Sequence, residues 1–163
     1  MTPQDSLFSI AEISIGLAGF SGLVAAFVQH SGQSWRADQK TRIVLLIVLS
    51  FGTIVAALAP YALSGLSSAP ALVWGLPMIG FSVLCMILLG YWVTLARRHQ
   101  FKLQFPLVSI PILTGATALQ VLVLLSGLGC VVPYSPAVFV LGFLSVLVFG
   151  ANVFLALLDS IWE

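Results

Sequence analysis

Five long apolar runs divide this chain, and they constrain its fold more than any other feature of the sequence. A helix needs about 20 apolar residues to cross the hydrocarbon core of a bilayer, and each run is at least that long. A barrel strand would be only about ten residues long and would alternate apolar with polar residues. We therefore predict an all-α integral membrane protein, with residues 1–163 forming a single domain that is a bundle of five transmembrane helices. The predicted helices are about 6–29, 43–66, 71–96, 107–131 and 137–158.

The composition excludes the main soluble classes of protein. Only 7% of the residues are charged and 60% are hydrophobic, whereas soluble domains carry about 25% charged residues. The net charge of +1 provides neither the basic field that nucleic-acid binding needs nor the high charge that keeps a disordered chain solvated. We expect the lipid bilayer to be the principal partner and expect no binding to nucleic acid.

The basic residues predict the orientation of the bundle. All of them lie in the first and third connections, which share one side of a five-span protein, and the positive-inside rule makes that side cytoplasmic. The sequence thus predicts a multi-pass protein of the bacterial inner (plasma) membrane, with the N-terminus outside and the C-terminus in the cytoplasm. The cytoplasmic basic residues are Arg36, Lys40, Arg42, Arg97, Arg98 and Lys102.

A second topology stays open for the first run. It could lie in the membrane interface or re-enter the bilayer, which would leave four spans and an N-terminus inside. Against this alternative, the run lacks the Lys- and Arg-rich polar face that holds an amphipathic helix on a membrane surface. Its flank carries Asp5 and no basic residue, unlike a secretory signal, so we expect the run to be retained.

The first run also carries a stripe of mostly small and polar residues, which we call the N-terminal seam. Its positions alternate spacings of four and three, so they share one helix face at a period of 3.5. We expect another helix, from the same chain or a neighbouring copy, to pack closely on Gly16, Gly19 and Ala26, and we expect lipid on the opposite face. The seam consists of Asp5, Ser9, Glu12, Gly16, Gly19, Leu23, Ala26 and His30, and the opposite face of Leu7, Ile10, Leu17, Val24 and Val28.

Glu12 is the only acid well inside an apolar run, roughly 8 to 10 Å below the membrane boundary at 1.5 Å per residue. Exposing its charge to lipid would cost on the order of 3 kcal/mol, so we expect it to face the bundle, a partner or water. Two forms stay open: a protonated carboxyl that hydrogen-bonds between helices, or an ionised carboxylate beside a water-filled pathway. A third possibility is that the side chain reaches up to the headgroups.

Polar residues in the other runs are candidates to line a polar interior together with Glu12. Hydroxyl groups can bond to the backbone of their own helix, whereas carboxamides need partners elsewhere. We therefore expect Gln120 and Asn152 to matter more than the serines and threonines. The full candidate set is Glu12, Ser50, Thr53, Thr117, Gln120, Ser145 and Asn152.

Catalytic motifs are almost absent from the sequence. Residues 19–22 have the G-x-S-G form found around the nucleophile of rhomboid proteases, but both histidines lie at helix ends, where neither can act as the base. No H-E-x-x-H motif and no phosphate-binding glycine loop occurs, and the spacing of the two cysteines does not resemble a metal site. We expect no enzyme activity, no catalytic residue, no cofactor and no metal.

Residues 12–22 follow the pattern E-x3-G-x2-G-F-x-G. This pattern resembles the opening of small bacterial inner-membrane proteins whose activity is uncharacterised. The resemblance covers about twenty residues of the whole chain, and it implies no activity.

A chain without a soluble domain must act within the bilayer or on a membrane partner. We therefore predict a homo-oligomeric, channel-like or pore-forming assembly in which copies associate through the N-terminal seam and Glu12 lies near a polar pathway. The alternative is a non-conducting accessory or scaffold subunit whose seam docks onto a larger membrane complex.

Overall fold

The computed structural model describes residues 3–30, 36–99 and 106–162, which are almost entirely helical and contain no β-strand. Five helices are long and apolar enough to cross a membrane. The predicted fold class is confirmed, and a 23-residue span in the first helix, Asp5–Phe27, favours five spans over four. The elements are α1 (Pro3–His30), α2 (Ala37–Ser64), a π-helical turn (Ala71–Gly75), α3 (Leu76–His99), α4 (Pro106–Gly127) and α5 (Pro136–Trp162).

The helices do not end where the apolar runs end. α2 begins at Ala37 rather than near residue 43, and α5 continues to Trp162. A helix satisfies its own backbone hydrogen bonds, so it can continue into the headgroup region with polar side chains. α4 stops earlier than expected, at Gly127, because the chain turns there: Gly129 has a φ of +78°, in the left-handed region that favours glycine.

Neighbouring helices run antiparallel, and the very short connections at 67–70 and 132–136 predict this for α2 with α3 and for α4 with α5. The rings of Phe8 in α1 and Tyr61 in α2 lie 5.9 Å apart, which places the start of one helix beside the end of the next. The Arg42 side chain in α2 donates to the carbonyl oxygen of Ala156 near the end of α5. The basic residues that the structure describes therefore gather at one end of the bundle with the C-terminus of α5, and we call this the basic end.

α2 lies at the centre of the bundle and packs against α1, α3 and α5. The core beside it contains a cluster of three aromatic rings: Phe143 lies 4.5 Å from Phe81 and 4.4 Å from Phe139, measured between ring centroids. Phe139 and Phe143 are completely buried. Because lipid tails are as apolar as these side chains, such close packing, rather than exclusion of water, holds the helices together.

The π-helical turn and the end of α4 approach each other closely through their backbones. A methyl group placed on Gly75 would lie 2.9 Å from the carbonyl oxygen of Gly127, and one placed on Gly127 would lie 3.1 Å from the carbonyl oxygen of Gly75. Both neighbouring atoms belong to the backbone and cannot move aside as a flexible side chain can. The π-helical turn also precedes Pro77, whose missing N–H would interrupt an α-helical ladder at this point.

We expect Gly127→Ala to lower the free energy of unfolding by about 1 to 3 kcal/mol, because the added methyl group overpacks this crossing. The matched control is Gly115→Ala in the same helix, where the new methyl group meets no atom within 4 Å. The control should be neutral or stabilising, since alanine is the better helix former. Unfolding by sodium dodecyl sulfate, followed by circular dichroism, measures the free energy of unfolding of both variants. An equal loss in the two variants would contradict the prediction.

Candidate functional site: the exposed seam and the polar contacts between helices

The N-terminal seam faces away from the bundle. Its central residues Glu12, Gly16, Gly19 and Ala26 are all exposed. A methyl group placed on Gly16 or Gly19 would meet no atom within 4 Å. No other helix of the same chain, as far as it is described, therefore packs on the seam.

The opposite face of α1 is the one that packs inside the bundle. Leu7 and Ile10 are buried, at 4% and 3% exposure, and Leu17 and Val24 pack against the core. The prediction that this face meets lipid is therefore wrong; the side chain of Val28 lies outside the described residues. Large apolar side chains fill the spaces between α1, α2 and α5 and gain more van der Waals contact there than glycines would.

Glu12 lies seven positions beyond Asp5, where the span of α1 begins, and this places it about 10 Å along the helix at 1.5 Å per residue. Its side chain is exposed at that depth. Of the three predicted surroundings (the bundle, a partner and water), the structure removes the bundle. Since lipid tails are a poor environment for a carboxylate, another chain, water or the headgroups above it are left to cover it.

Gln120 and Asn152 each join α4 to α5. The Nε2 atom of Gln120 donates to the carbonyl oxygen of Gly142 at 3.0 Å, with Ser145 Oγ 3.4 Å away. Asn152 Nδ2 donates to Ser109 Oγ at 3.2 Å. The two contacts lie at different heights along one antiparallel helix pair, so together they fix the register of α4 on α5.

The candidate hydroxyl groups mostly bond to their own helices. Thr53 donates to the carbonyl oxygen of Leu49 at 2.8 Å, and Thr117 to that of Leu113 at 2.7 Å. Ser145 donates to the carbonyl oxygen of Gly142 at 2.7 Å. Such bonds satisfy a hydroxyl without a second helix.

Two of the candidates leave a buried polar atom without a hydrogen-bond partner among the described residues. These atoms are Ser50 Oγ and Gln120 Oε1.

Of the candidate set, the structure brings Gln120 and Ser145 together, and it places Glu12 apart from them on the exposed face of α1. A role in conduction stays a prediction for every member of the set.

A narrow cleft lies between α2, α3, α4 and α5. Thr117 and Gln120 contribute the polar groups of its lining, and the other lining residues are apolar, including Cys85 and Trp92. Thr117 has its hydroxyl bonded to its own helix. The described part of the chain therefore shows no continuous polar path through a single bundle.

The basic end holds the cations that sequence analysis assigned to the cytoplasm. Arg36, Lys40 and Arg97 are exposed. Arg42 is half-buried and donates to the last turns of α5, where a cation also complements the helix dipole. The side chain of Arg98 and the whole of Lys102 lie outside the described residues.

Ser21, the serine of the G-x-S-G segment, is buried and donates to the carbonyl oxygen of Leu17 at 2.8 Å. Its hydroxyl is thus directed at its own helix backbone. Within residues 3–30, 36–99 and 106–162, no group of three histidine, cysteine or acidic side chains is placed to hold a metal ion.

Comparisons with protein-family models, with curated proteins and with solved structures give no match to this chain. Any proposal of function therefore rests on the fold and on its exposed surfaces. Of these surfaces, the N-terminal seam combines an intramembrane acid with open glycines.

Proposed function

We propose that this polytopic membrane protein forms a homo-oligomer through the N-terminal seam and that Glu12 lies beside a polar pathway between the copies. The exposure of Glu12 and the glycines on one face of α1 carries the proposal. A carboxylate on that face would be unfavourable in lipid by about 3 kcal/mol, and association of two or more copies removes it from lipid.

The seam is suited to close helix packing. Gly16, Gly19 and Ala26 allow two backbones to approach, and close approach is the main source of stability for helix association in a bilayer. In an oligomer whose symmetry axis is normal to the membrane, each residue lies at the same depth in every copy. The Glu12 carboxyl groups would then surround the axis, where water or shared protons can accommodate them.

The interior of a single copy supports the same assignment. The polar side chains between α4 and α5 are engaged in local contacts, and the cleft between the helices is almost entirely apolar. A pathway between copies needs no polar channel through any one bundle.

We expect a Gly19→Cys variant to form a disulfide-linked dimer when oxidised in the membrane. The substitution is made in a Cys130→Ser background, which removes the exposed native thiol. Gly115→Cys is the matched control, because Gly115 is also exposed and surrounded by open space but lies on α4. Non-reducing gel electrophoresis after treatment with copper phenanthroline measures the dimer.

A dimer from Gly19→Cys and none from Gly115→Cys supports the assembly. Equal cross-linking of the two variants would show random collision and would remove the proposal. Linkage of Gly19→Cys to a different protein would instead identify the seam as the docking face of an accessory subunit.

We expect Glu12→Gln to preserve assembly but to lower cation or proton flux in liposomes roughly tenfold. A unit charge about 12 Å from a permeating ion contributes about 1.4 kcal/mol at an effective dielectric constant of about 20, which corresponds to that factor. Asp159→Asn is the control: it removes a negative charge at an exposed position on α5, which is not part of the seam, and should leave the flux unchanged. Unchanged flux in Glu12→Gln, with the Gly19→Cys cross-link intact, would exclude the pathway.

The orientation that we propose places the basic end in the cytoplasm and the turn between α4 and α5 outside, in a bacterial inner membrane. The positive-inside rule supports it. Cys130 lies in that turn and is exposed, whereas Cys85 is buried.

We therefore expect a membrane-impermeant maleimide to label Cys130 in intact spheroplasts. The Cys130→Ser variant serves as the control and should remain unlabelled, because Cys85 is buried within the bundle. Labelling only after the membrane is broken would reverse the assigned orientation.

A further inference from the structure

An open groove runs between α2 and α3 on the outside of the bundle. Two recesses that share Val48 form it: one lies at the basic end, and the other continues towards the other end. Exposed side chains spaced by three or four residues form its α2 wall, namely Val44, Val48, Phe51 and Val55. The two recesses therefore meet at Val48, and these four side chains of α2 are apolar and exposed on the outside of the bundle.

The chemistry of the groove changes at the basic end. Lys40 lines the recess there and is exposed, and Tyr91 and Trp92 line it from α3. Trp92 is held in place by an edge contact with Phe149, with ring centroids 6.3 Å apart. Tyrosine and tryptophan rings settle at the depth of the lipid headgroups. No acidic side chain of the described residues lines either recess.

We propose that this groove binds one anionic phospholipid, with its phosphate beside Lys40 and its acyl chains along Val44, Val48 and Phe51. The positive charge complements an anionic headgroup and the apolar wall complements the chains. From Lys40 to Phe51 the helix rises about 16 Å, close to half of the roughly 30 Å hydrocarbon core that one leaflet contributes. The part of the groove from Lys40 to Phe51 thus has the length and the polarity of one lipid molecule, and the apolar wall continues beyond it to Val55.

A second copy of the chain fits this groove less well than a lipid does. Close packing of membrane helices favours small residues at the contact. Small residues, including Gly52 and Gly80, do line the wider recess, but the α2 wall beside them exposes large side chains, with Phe51 at 59% and Val55 at 68%. The open small-residue face lies on α1, in the N-terminal seam.

The test uses the full chain reconstituted with equal amounts of phosphatidylglycerol and phosphatidylcholine, then extracted in mild detergent. Native mass spectrometry counts the retained lipids. The wild type should keep one phosphatidylglycerol in preference to phosphatidylcholine. Lys40→Gln should lower that preference roughly fivefold, the factor expected for one basic residue near an anionic surface. Arg97→Gln, an exposed site outside the groove, is the control for loss of charge.

A second pair of variants tests the apolar wall. Val48→Trp fills the groove and should reduce the retained lipid, whereas Val148→Trp, at a position on α5 that is 54% exposed, should not. If Val48→Trp does not fold, Val44→Trp repeats the test at a position that is 56% exposed.

Equal retention of the two lipids by the wild type would overturn the proposal, as would equal losses in a variant and its control. Loss of the Gly19→Cys cross-link in Val48→Trp would also overturn it, because the groove would then be a contact between copies. Native mass spectrometry measures lipid binding and the Gly19→Cys cross-link measures assembly through the seam, so either proposal can fail without the other.

Discussion

The packing of the large apolar face of α1 onto its neighbours determines what the rest of the molecule can present to the membrane. Leu7 and Ile10 are buried, and α1 contacts α2 and α5. Because the apolar face of α1 packs inside the bundle, the N-terminal seam on the opposite face points outward. The exposure of Glu12 is thus a consequence of how well leucine and isoleucine fill the gap between helices, rather than of any contact made by Glu12.

Polar groups within the membrane are treated differently on different helices. Between α4 and α5, Gln120 and Asn152 find partners on the facing helix, and they hold the pair at two heights. Between α2 and α5, Arg42 bonds to the backbone near the end of α5. Interhelical hydrogen bonds of this kind contribute about 0.6 kcal/mol on average, so their main effect is to fix register rather than to supply stability.

The outer surface of the bundle has two faces of contrasting chemistry. The N-terminal seam on α1 offers glycines and a carboxyl group, which suit another protein chain. The groove between α2 and α3 offers large apolar side chains below an exposed ammonium group, which suit a lipid. Since α2 lies between α1 and α3, the proposed contact between copies and the proposed lipid site lie on different faces of the bundle.

The sequence by itself determined the class of fold. Five runs of apolar residues, each long enough to cross a bilayer, have few ways to satisfy their backbone hydrogen bonds in lipid other than as helices. The antiparallel order of α2 with α3, and of α4 with α5, also followed from the short connections. The helix ends were less predictable, because a helix can extend past its apolar residues, as α2 does at Ala37, or stop early at a turn, as α4 does at Gly127.

The regular spacing of small and polar residues in the first apolar run likewise revealed two faces on α1, but the tertiary structure decided which face is buried. Apart from the carboxyl group of Glu12, both faces of α1 are compatible with lipid, so hydrophobicity does not distinguish inside from outside as clearly as it does in water. Which face of α1 is buried depends on its shape complementarity with the side chains of α2 and α5. The groove beside Lys40 is hidden from sequence for the same reason, since its walls come from two helices whose facing residues only the packed bundle brings together.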